Sequence, residues 1–252
     1  MSARLNGEAA LVTGSTSGIG RAIAVAFARE GAAVVVTGRN EERGNAIASE
    51  IGGTFIAADL REERECARLV DAAAASLGQL TVLVNNAAGG DATDGPVAEL
   101  TTEAWDAVLR VDLTAPMWCA RAAIPHMRAA GHGAILNISS RQAERASRRL
   151  AAYIAAKAGL NGLTRAIAVD EAAHKIRCNT ISPGYVLNER RDANISAERR
   201  ERYEGMHLTR LGQVDDVANA AVYLASREAE FVTGINLELD GGSSIARGLT
   251  LG

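Results

Sequence analysis

The chain contains few of the residues that build disulfide-linked or metal-bound folds. It has only 3 cysteines, 4 histidines and 4 prolines among 252 residues, and aromatic residues make up 4% of the total. The cysteines, Cys66, Cys119 and Cys178, are odd in number and widely separated, which suits reduced thiols better than disulfides or a zinc site. The histidines are equally scattered. We therefore expect no bound metal.

The chain also lacks a charge excess and long apolar runs. Its 27 basic and 30 acidic side chains give a net charge of -3, so there is no basic field of the kind that nucleic-acid binding needs. No run of about 18 or more uncharged apolar residues occurs, and the polar residues 1–8 contain no apolar core of signal-peptide length. We expect a cytoplasmic protein that binds neither nucleic acid nor a membrane.

What the sequence does contain is an alternation of short β-like runs with longer helical patterns. This alternation predicts an α/β fold, a doubly wound parallel sheet of about seven strands with helices on both faces. At 252 residues and 48% apolar content the chain can bury one large core, so we expect a single domain over residues 1–252. The predicted strands are residues 9–13, 33–37, 54–57, 81–84, 134–139, 177–181 and 235–239.

A glycine-rich turn follows the first predicted strand. Residues 13–20 read Thr-Gly-Ser-Thr-Ser-Gly-Ile-Gly, and Ile23 and Phe27 then recur at helical spacing in a predicted helix over residues 21–30. Glycine allows the backbone to approach a ligand closely, and the amides and dipole at a helix start attract a pyrophosphate. The spacing G-x-x-x-G-x-G differs from the commoner G-x-G-x-x-G fingerprint, so an ordinary tight connection remains an alternative.

A second pattern concerns Tyr153 and Lys157, which stand one helical turn apart, with Ser140 upstream. Positions i and i+4 share one face of a helix, so the lysine ammonium can lie beside the phenol and favour its ionised form. A phenol tuned in this way can carry a proton near neutral pH. Taken alone the pair is weak evidence, because such pairs are commonly surface neighbours.

Several motifs occur together in one order: the glycine turn, Asn85-Asn86-Ala87-Ala88-Gly89, the set Ser140, Tyr153 and Lys157, and Pro183-Gly184. In this order and spacing the chain resembles the short-chain dehydrogenase/reductase family over about residues 7–242. The resemblance implies a Rossmann fold and hydride transfer between a nicotinamide and a carbonyl carbon. It also implies that Tyr153 transfers the proton, Ser140 holds the substrate oxygen, and Lys157 tunes Tyr153 and binds the nicotinamide ribose.

The same resemblance implies a set of cofactor contacts that lie at the carboxyl ends of the strands. Beside Tyr153 and Lys157, these contacts are Gly14, Ser15, Ser17, Gly18, Ile19, Gly20, Arg39, Asp59, Leu60, Asn86, Ala87, Pro183, Gly184, Val186 and Asn188.

The end of the second predicted strand indicates which cofactor is preferred. NAD-preferring relatives carry an acidic residue where this chain has Gly38, and Arg39 instead offers a planar cation that matches phosphate geometry. We therefore expect NADP(H), with NAD(H) possible. The alternative is an exposed turn arginine, since Ser17 is neutral where many NADP-using relatives place a second cation. Asp59 resembles the family residue that meets the adenine amino group, with helix capping before Glu62 as a compatible role.

Two positions depart from the family pattern. Asp112 replaces the asparagine that commonly holds a helix bend and a proton-relay water, so Asp112 is a candidate catalytic residue whose relay role is in doubt. We expect Thr114 and Pro116 to sustain the bend. Asn188 replaces a threonine that bonds the nicotinamide carboxamide, and its amide can still donate and accept.

The substrate is less well indicated. The cluster Arg141, Arg145, Arg148 and Arg149 suggests an anionic substrate, although a solvated loop is the favoured alternative. The expected substrate lid covers residues 187–211 and carries Arg190, Arg191, Arg199, Arg200 and Arg202, for which flexibility and solvation offer a simpler explanation.

Three functions compete. The leading one is an NADP(H)-dependent oxidoreductase that interconverts a small carbonyl compound and a secondary alcohol, similar to 3-oxoacyl-carrier-protein reductases. A sugar or polyol dehydrogenase is the alternative enzyme, and a non-catalytic dinucleotide sensor is the third. Family members usually form dimers or tetramers through long helices, predicted here over residues 102–130 and 151–173, so we expect a homo-oligomer, and a homotetramer in particular.

Overall fold

A computed structural model of the protein describes residues 3–89, 94–188, 192–193 and 195–246. These residues form seven strands: β1 (Ala9–Val12), β2 (Ala33–Gly38), β3 (Thr54–Ala57), β4 (Val82–Asn85), β5 (Gly133–Ile138), β6 (Ile176–Pro183) and β7 (Asn236–Leu239). All pair in parallel in one sheet of order β3-β2-β1-β4-β5-β6-β7. The predicted doubly wound sheet is confirmed, and its strand order reverses between β1 and β4, where such folds bind ligands.

Helices cover both faces of the sheet. They are α1 (Gly18–Arg29), α2 (Glu41–Ile51), α3 (Glu63–Leu77), α4 (Thr102–Leu109), α5 (Ala115–Ala130), α6 (Ala151–Asp170), α7 (Ala197–Glu204) and α8 (Val214–Ala225). Buried residues of α1, α2 and α8 pack in one apolar core, and those of α3, α5 and α6 pack in a second core. Among the described residues, no helix combines the length and apolarity needed to cross a bilayer.

The central strands are buried on both sides. Along β1, Ala10 and Val12 belong to the first core and Leu11 to the second, and along β2 Val35 faces the core opposite to its neighbours. Successive side chains of a strand alternate between the faces, so a strand covered on both faces reads as a continuous apolar run. This packing explains why strands could be located from apolar runs alone.

Several helix boundaries differ from those expected. α1 begins at Gly18, so the last two glycines of the turn lie in its first helical turn instead of before it. The long helix expected over residues 102–130 is interrupted by a five-residue π turn, Arg110–Thr114, between α4 and α5. The expected bend is therefore a π turn that contains Asp112. The helix expected over residues 151–173 ends at Asp170, and a short 3-10 turn, Ala172–His174, follows it.

Candidate active site

The glycine turn joins β1 to α1 and packs against the segment that follows β4. Gly14 has a φ of +62°, and a Cβ atom there would lie only 2.8 Å from the Cα of Ala87. Ser17 stands at the N-cap of α1, and within the described residues its side chain makes no capping hydrogen bond. The amides of the first turn of α1, which includes Ile19 and Gly20, are therefore left for an anionic ligand.

Ser15 is buried inside this turn. It is fully buried, its amide donates to the Thr37 carbonyl oxygen, and its hydroxyl donates to the Val12 carbonyl oxygen at 2.7 Å. The Ser15 hydroxyl also accepts from the Thr37 amide at 2.9 Å. Both of its polar groups therefore tie the turn to β1 and β2, and its contact with the cofactor stays a prediction.

Hydrogen bonds of Thr13 and Asn86 connect the ends of β1 and β4. The Thr13 hydroxyl accepts from the amides of Asn86 and Ala87, at 2.9 and 3.1 Å. The Asn86 side-chain amide donates to the carbonyl oxygens of Thr13, at 2.9 Å, and Gly14, at 3.2 Å. Asn86 and Ala87 thus border the glycine turn where they were expected. Thr13 was absent from the expected site, although its place directly before the first glycine was a usable signal.

Asn85 points in the opposite direction, into the protein. It is only 4% exposed, and its side-chain amide donates to Asn137 at 2.9 Å. Asn137 donates in turn to Thr164 at 2.8 Å, and the hydroxyl of Thr164 lies 2.7 Å from that of Thr180. Asn85 belongs to this buried network, which joins β4, β5, α6 and β6.

Charged side chains gather at the ends of β2 and β3. Arg39 is exposed directly after β2, and Asp59 follows β3, just before Leu60. Hydrogen bonds from Arg61 lower the pKa of the Asp59 carboxyl to about 2, and the charge of Arg39 acts in the same direction. Asp59 does not cap α3, because that helix begins at Glu63 and the Asp59 carboxylate instead accepts from the Arg61 amide at 3.1 Å. The predicted role of Asp59 as a helix cap is therefore wrong. Arg61 is a charged neighbour of Asp59 that no motif indicated.

Lys157 is buried on α6 and lies between three partners. Its Nζ donates to the Ile138 carbonyl oxygen at 3.0 Å and lies 3.1 Å from Oδ1 of Asp112 and 5.5 Å from the centroid of the Tyr153 ring. The contact with Asp112 is an ion pair without the alignment of a hydrogen bond. The other carboxylate oxygen of Asp112 accepts from the Gly89 amide at 3.2 Å. The structure thus brings together three of the four expected catalytic residues.

Ser140, the fourth, stands directly after β5. It is the N-cap of a 3-10 turn, Arg141–Ala143, and its Oγ accepts from the Gln142 amide at 3.2 Å. A hydroxyl that accepts in this way keeps its own hydrogen for donation to a further oxygen. The neighbouring Ser139 hydroxyl donates to the Lys157 carbonyl oxygen at 3.2 Å and is buried, so Ser139 supports α6.

The segment after β6 connects the sheet to the expected lid. Pro183 ends β6, Gly184 packs against Asp240, and Val186 is buried in a bridge with Gly212. A Cβ atom at Gly18 would collide with the side-chain amide of Asn188, so Asn188 lies against the dinucleotide turn.

The described part of the expected lid contains helix α7 and contacts the segment that follows β6. The rings of Tyr185 and Tyr203 stack with centroids 3.9 Å apart, and the Tyr185 hydroxyl donates to Asp192 at 2.5 Å. Arg200 pairs with Glu204 on the exposed side of α7. Four lid residues, Glu189, Arg190, Arg191 and Asn194, lie outside the described residues.

Two of the arginines between Ser140 and Tyr153 hydrogen-bond to the segment that follows β7. Arg141 is 8% exposed and donates to the Ser243 hydroxyl at 2.9 Å. Arg145 donates to the carbonyl oxygens of Ser243, Ser244 and Ala246. The two arginines therefore fasten the segment that follows β7, Arg141 from a buried position and Arg145 from an exposed one, and an anionic substrate stays a prediction.

Comparisons with known proteins agree with this geometry. A family model described as enoyl-(acyl carrier protein) reductase matches residues 14–244. D-threitol dehydrogenase of Mycolicibacterium smegmatis is 36% identical, over 96% of this chain and 95% of its own length. The NADP-dependent (R)-specific alcohol dehydrogenase of Lentilactobacillus kefiri is 37% identical, over 96% of this chain and 98% of its own length.

The chain belongs to the short-chain dehydrogenase/reductase family. The resemblance inferred from the motifs is thereby confirmed. A solved 7α-hydroxysteroid dehydrogenase, in complex with NADH and 7-oxo glycochenodeoxycholic acid, superposes with a TM-score of 0.88 at 34% identity, over 96% of each chain. This short-chain dehydrogenase/reductase is an oxidoreductase that acts on alcohol or ketone groups with a nicotinamide dinucleotide.

Proposed function

We propose that this enzyme is an NADP(H)-dependent oxidoreductase that interconverts a small ketone and a secondary alcohol. The observation that carries the proposal is the buried Lys157 ammonium beside the Tyr153 ring, on a helix that starts at the carboxyl end of β5. The Tyr153 hydroxyl is the group that passes a proton to or from the reacting oxygen, with the Lys157 cation beside its ring.

Each residue of the proposed active site has a separate role in the reaction. The nicotinamide, when bound, supplies or accepts the hydride. Tyr153 gives a proton to the carbonyl oxygen during reduction and takes it back during oxidation. The Ser140 hydroxyl, whose hydrogen is free of the contact with the Gln142 amide, donates to the same oxygen and holds it in place. Lys157 supplies the positive charge, and Asp112 holds the ammonium of Lys157.

The glycine turn fits a dinucleotide pyrophosphate. At Gly14 any side chain would strike Ala87, and the start of α1 has no side-chain cap from Ser17 within the described residues. A backbone that cannot carry a side chain and offers helix-start amides suits a phosphate group. Gly18, Ile19 and Gly20 would hold it there, with Leu60 and Ala87 beside the adenosine half and Pro183, Gly184, Val186 and Asn188 beside the nicotinamide half.

The preference for NADP(H) rests on the end of β2. A Cβ atom at Gly38 would lie 2.6 Å from a methyl carbon of Thr16, so an acidic side chain there would have to displace Thr16. Without such an acid nothing at this position repels a 2′-phosphate. Arg39 offers the planar cation that binds phosphate, and its charge already acts on Asp59 across the same corner of the site.

Arg141 and Arg145 both hold the segment after β7, so the proposal assigns neither of them to the substrate. A 3-oxoacyl thioester remains a candidate. A polyol is the second candidate, supported by the similarity to D-threitol dehydrogenase over nearly the full length of both chains.

The proposal is tested by measuring nicotinamide absorbance with purified enzyme. A panel of ketones and 3-oxoacyl thioesters is offered with NADPH and NADH, and a panel of alcohols and polyols with the oxidised cofactors. We expect ketone-dependent oxidation of NADPH at a higher kcat/KM than of NADH. Turnover of polyols alone would favour the second candidate, and binding of NADPH without any turnover would contradict the proposal.

We also infer that the enzyme is a homo-oligomer, a tetramer or a dimer. Val169 on α6 is 77% exposed and Phe231, just before β7, is fully exposed. Large exposed apolar side chains of this kind suit an interface between subunits. Light scattering of the purified protein would show a particle of one chain's mass, 26.3 kDa, if this inference were wrong.

A further inference from the structure

The start of α6, the helix that carries Tyr153 and Lys157, is not capped by its own residues. Leu150 occupies the N-cap and, within the described part of the chain, makes no side-chain cap, and the first turn of α6 contains no acidic residue. The preceding residue, Arg149, has a φ of 63°, which is unusual for a non-glycine residue. The first amides of a helix need partners, so another part of the chain must supply them.

Asp94, in the segment between β4 and α4, supplies these partners. Its Oδ2 accepts from the Tyr153 amide at 2.8 Å, and its Oδ1 accepts from the Ala152 amide at 3.1 Å. The Gly95 amide donates to the same Oδ1 at 2.7 Å, which fixes the orientation of the carboxylate. A carboxylate at this position also interacts favourably with the positive end of the helix dipole.

A second contact links the same segment to the helix start. Glu99 lies 3.7 Å from Arg149, and both side chains are 66% exposed. An exposed pair at this separation contributes little by itself. The partly buried contact of Asp94 with two backbone amides is therefore the one that holds this segment and the start of α6 together.

We propose that Asp94 is a positioning residue that fixes Tyr153 within reach of the reacting oxygen. The inference rests on the proposed function, because it concerns the geometry of the same proton transfer. Lys157 is held independently, one turn later, by Ile138 and Asp112. Tyr153 lies in the first turn, where helices fray, and Asp94 binds its backbone amide directly. Loss of the carboxylate therefore moves Tyr153 relative to Lys157.

Two substitutions at Asp94 test this role. In Asp94→Ala both amide contacts are lost, and we expect kcat to fall about 10- to 100-fold, since small misplacements of a reacting group cost this much. The KM for NADPH should change less than about twofold, because the dinucleotide turn is untouched. Asp94→Asn keeps an oxygen acceptor for one amide and should recover part of the lost kcat.

Asp216→Ala is the matched control. Asp216 lies in the first turn of α8, where its carboxylate accepts from the Gln213 amide at 2.8 Å, so its removal also uncaps a helix. We expect Asp216→Ala to lower thermal stability while keeping the wild-type kcat. Equal losses of kcat in Asp94→Ala and the control would overturn the proposal, because the effect would then be general destabilisation.

Hydrogen exchange of the Ala152 and Tyr153 amides, measured by NMR, tests the cap without reference to activity. We expect both amides to exchange several-fold faster in Asp94→Ala than in the wild type, with no change at α8. Unchanged exchange would overturn the proposal. A different result is an exchange difference between Asp94→Ala and the wild type, together with a wild-type enzyme that turns over no substrate. That result would refute the proposed function. It would also overturn the positioning role, because Asp94 would then be a helix cap alone.

Discussion

Lys157 and Asp112 form an ion pair in the interior of the enzyme, with side chains only 3% and 1% exposed and Nζ 3.1 Å from Oδ1. The carboxylate also accepts from the Gly89 amide, and the ammonium donates to the Ile138 carbonyl oxygen. Asp112 is placed for this contact by the π turn between α4 and α5. A π turn inside a helix is common at functional sites, and here it brings a negative charge to Lys157, the lysine of the proposed active site.

The two partners of this pair should contribute to the unfolding free energy in a coupled way. Asp112→Ala or Lys157→Met alone leaves an uncompensated buried charge, which costs about 3–5 kcal/mol of unfolding free energy. The double substitution removes both charges, so we expect it to cost clearly less than the sum of the two single changes. Urea denaturation of the four proteins measures this coupling.

The exposed pair of Arg200 and Glu204 on α7 provides the control for that cycle, since its side chains are 53% and 50% exposed. Arg200→Ala and Glu204→Ala should each change the unfolding free energy by less than about 1 kcal/mol. Strictly additive effects of Asp112→Ala and Lys157→Met would contradict the ion pair described here.

Features that are local in the sequence were predictable. The seven strands lie within two residues of their predicted bounds, because a strand buried on both faces reads as a continuous apolar run. The glycine turn and the pair Tyr153 and Lys157 are likewise local, since helix geometry alone places positions i and i+4 on one face. Gly78, which has a left-handed conformation directly after α3, is a local feature as well, because helices commonly end at such a glycine.

Features that depend on distant contacts were not predictable. Arg145 was read as part of a charged loop, but it binds the Ala246 carbonyl oxygen, 101 residues away. Ser15 reaches the Thr37 backbone across 22 residues, and Asp94 reaches the start of α6 across 58. No short pattern encodes such partners, because they depend on which loops the sheet brings together.

Arg39 should determine the choice between the two nicotinamide cofactors. A hydrogen bond to a charged group contributes about 1.5–3 kcal/mol, which corresponds to about a 10- to 100-fold change in affinity. We therefore expect Arg39→Ala to weaken NADPH binding by about this factor and to change NADH binding less than about threefold. Fluorescence titration with both cofactors measures the difference.

Arg29→Ala is a matched control for Arg39, because Arg29 is an exposed arginine in the last turn of α1, at the end opposite to the glycine turn. It should leave the affinity for both cofactors unchanged. Similar losses for NADPH and NADH in Arg39→Ala would show that Arg39 does not bind a 2′-phosphate.

The three cysteines should be inert toward thiol reagents in the native enzyme. All three are buried, and burial raises the pKa of Cys178 to about 12. Since only the thiolate reacts, about one Cys178 in 10,000 is reactive at pH 8 even before access is considered. We expect slow modification by an aromatic disulfide reagent at pH 8, and rapid reaction of 3 thiols in urea. Rapid native labelling would contradict the described packing.

Tyr153→Phe should separate binding from proton transfer. The substitution keeps the aromatic ring beside Lys157 but removes the hydroxyl, so we expect kcat to fall about 100- to 10,000-fold while NADPH binds within about twofold of the wild type. Stopped-flow turnover and cofactor titration measure the two effects. Tyr223→Phe removes the hydroxyl of an exposed tyrosine on α8 and should keep full activity. A Tyr153→Phe enzyme as active as this control would show that another group carries the proton.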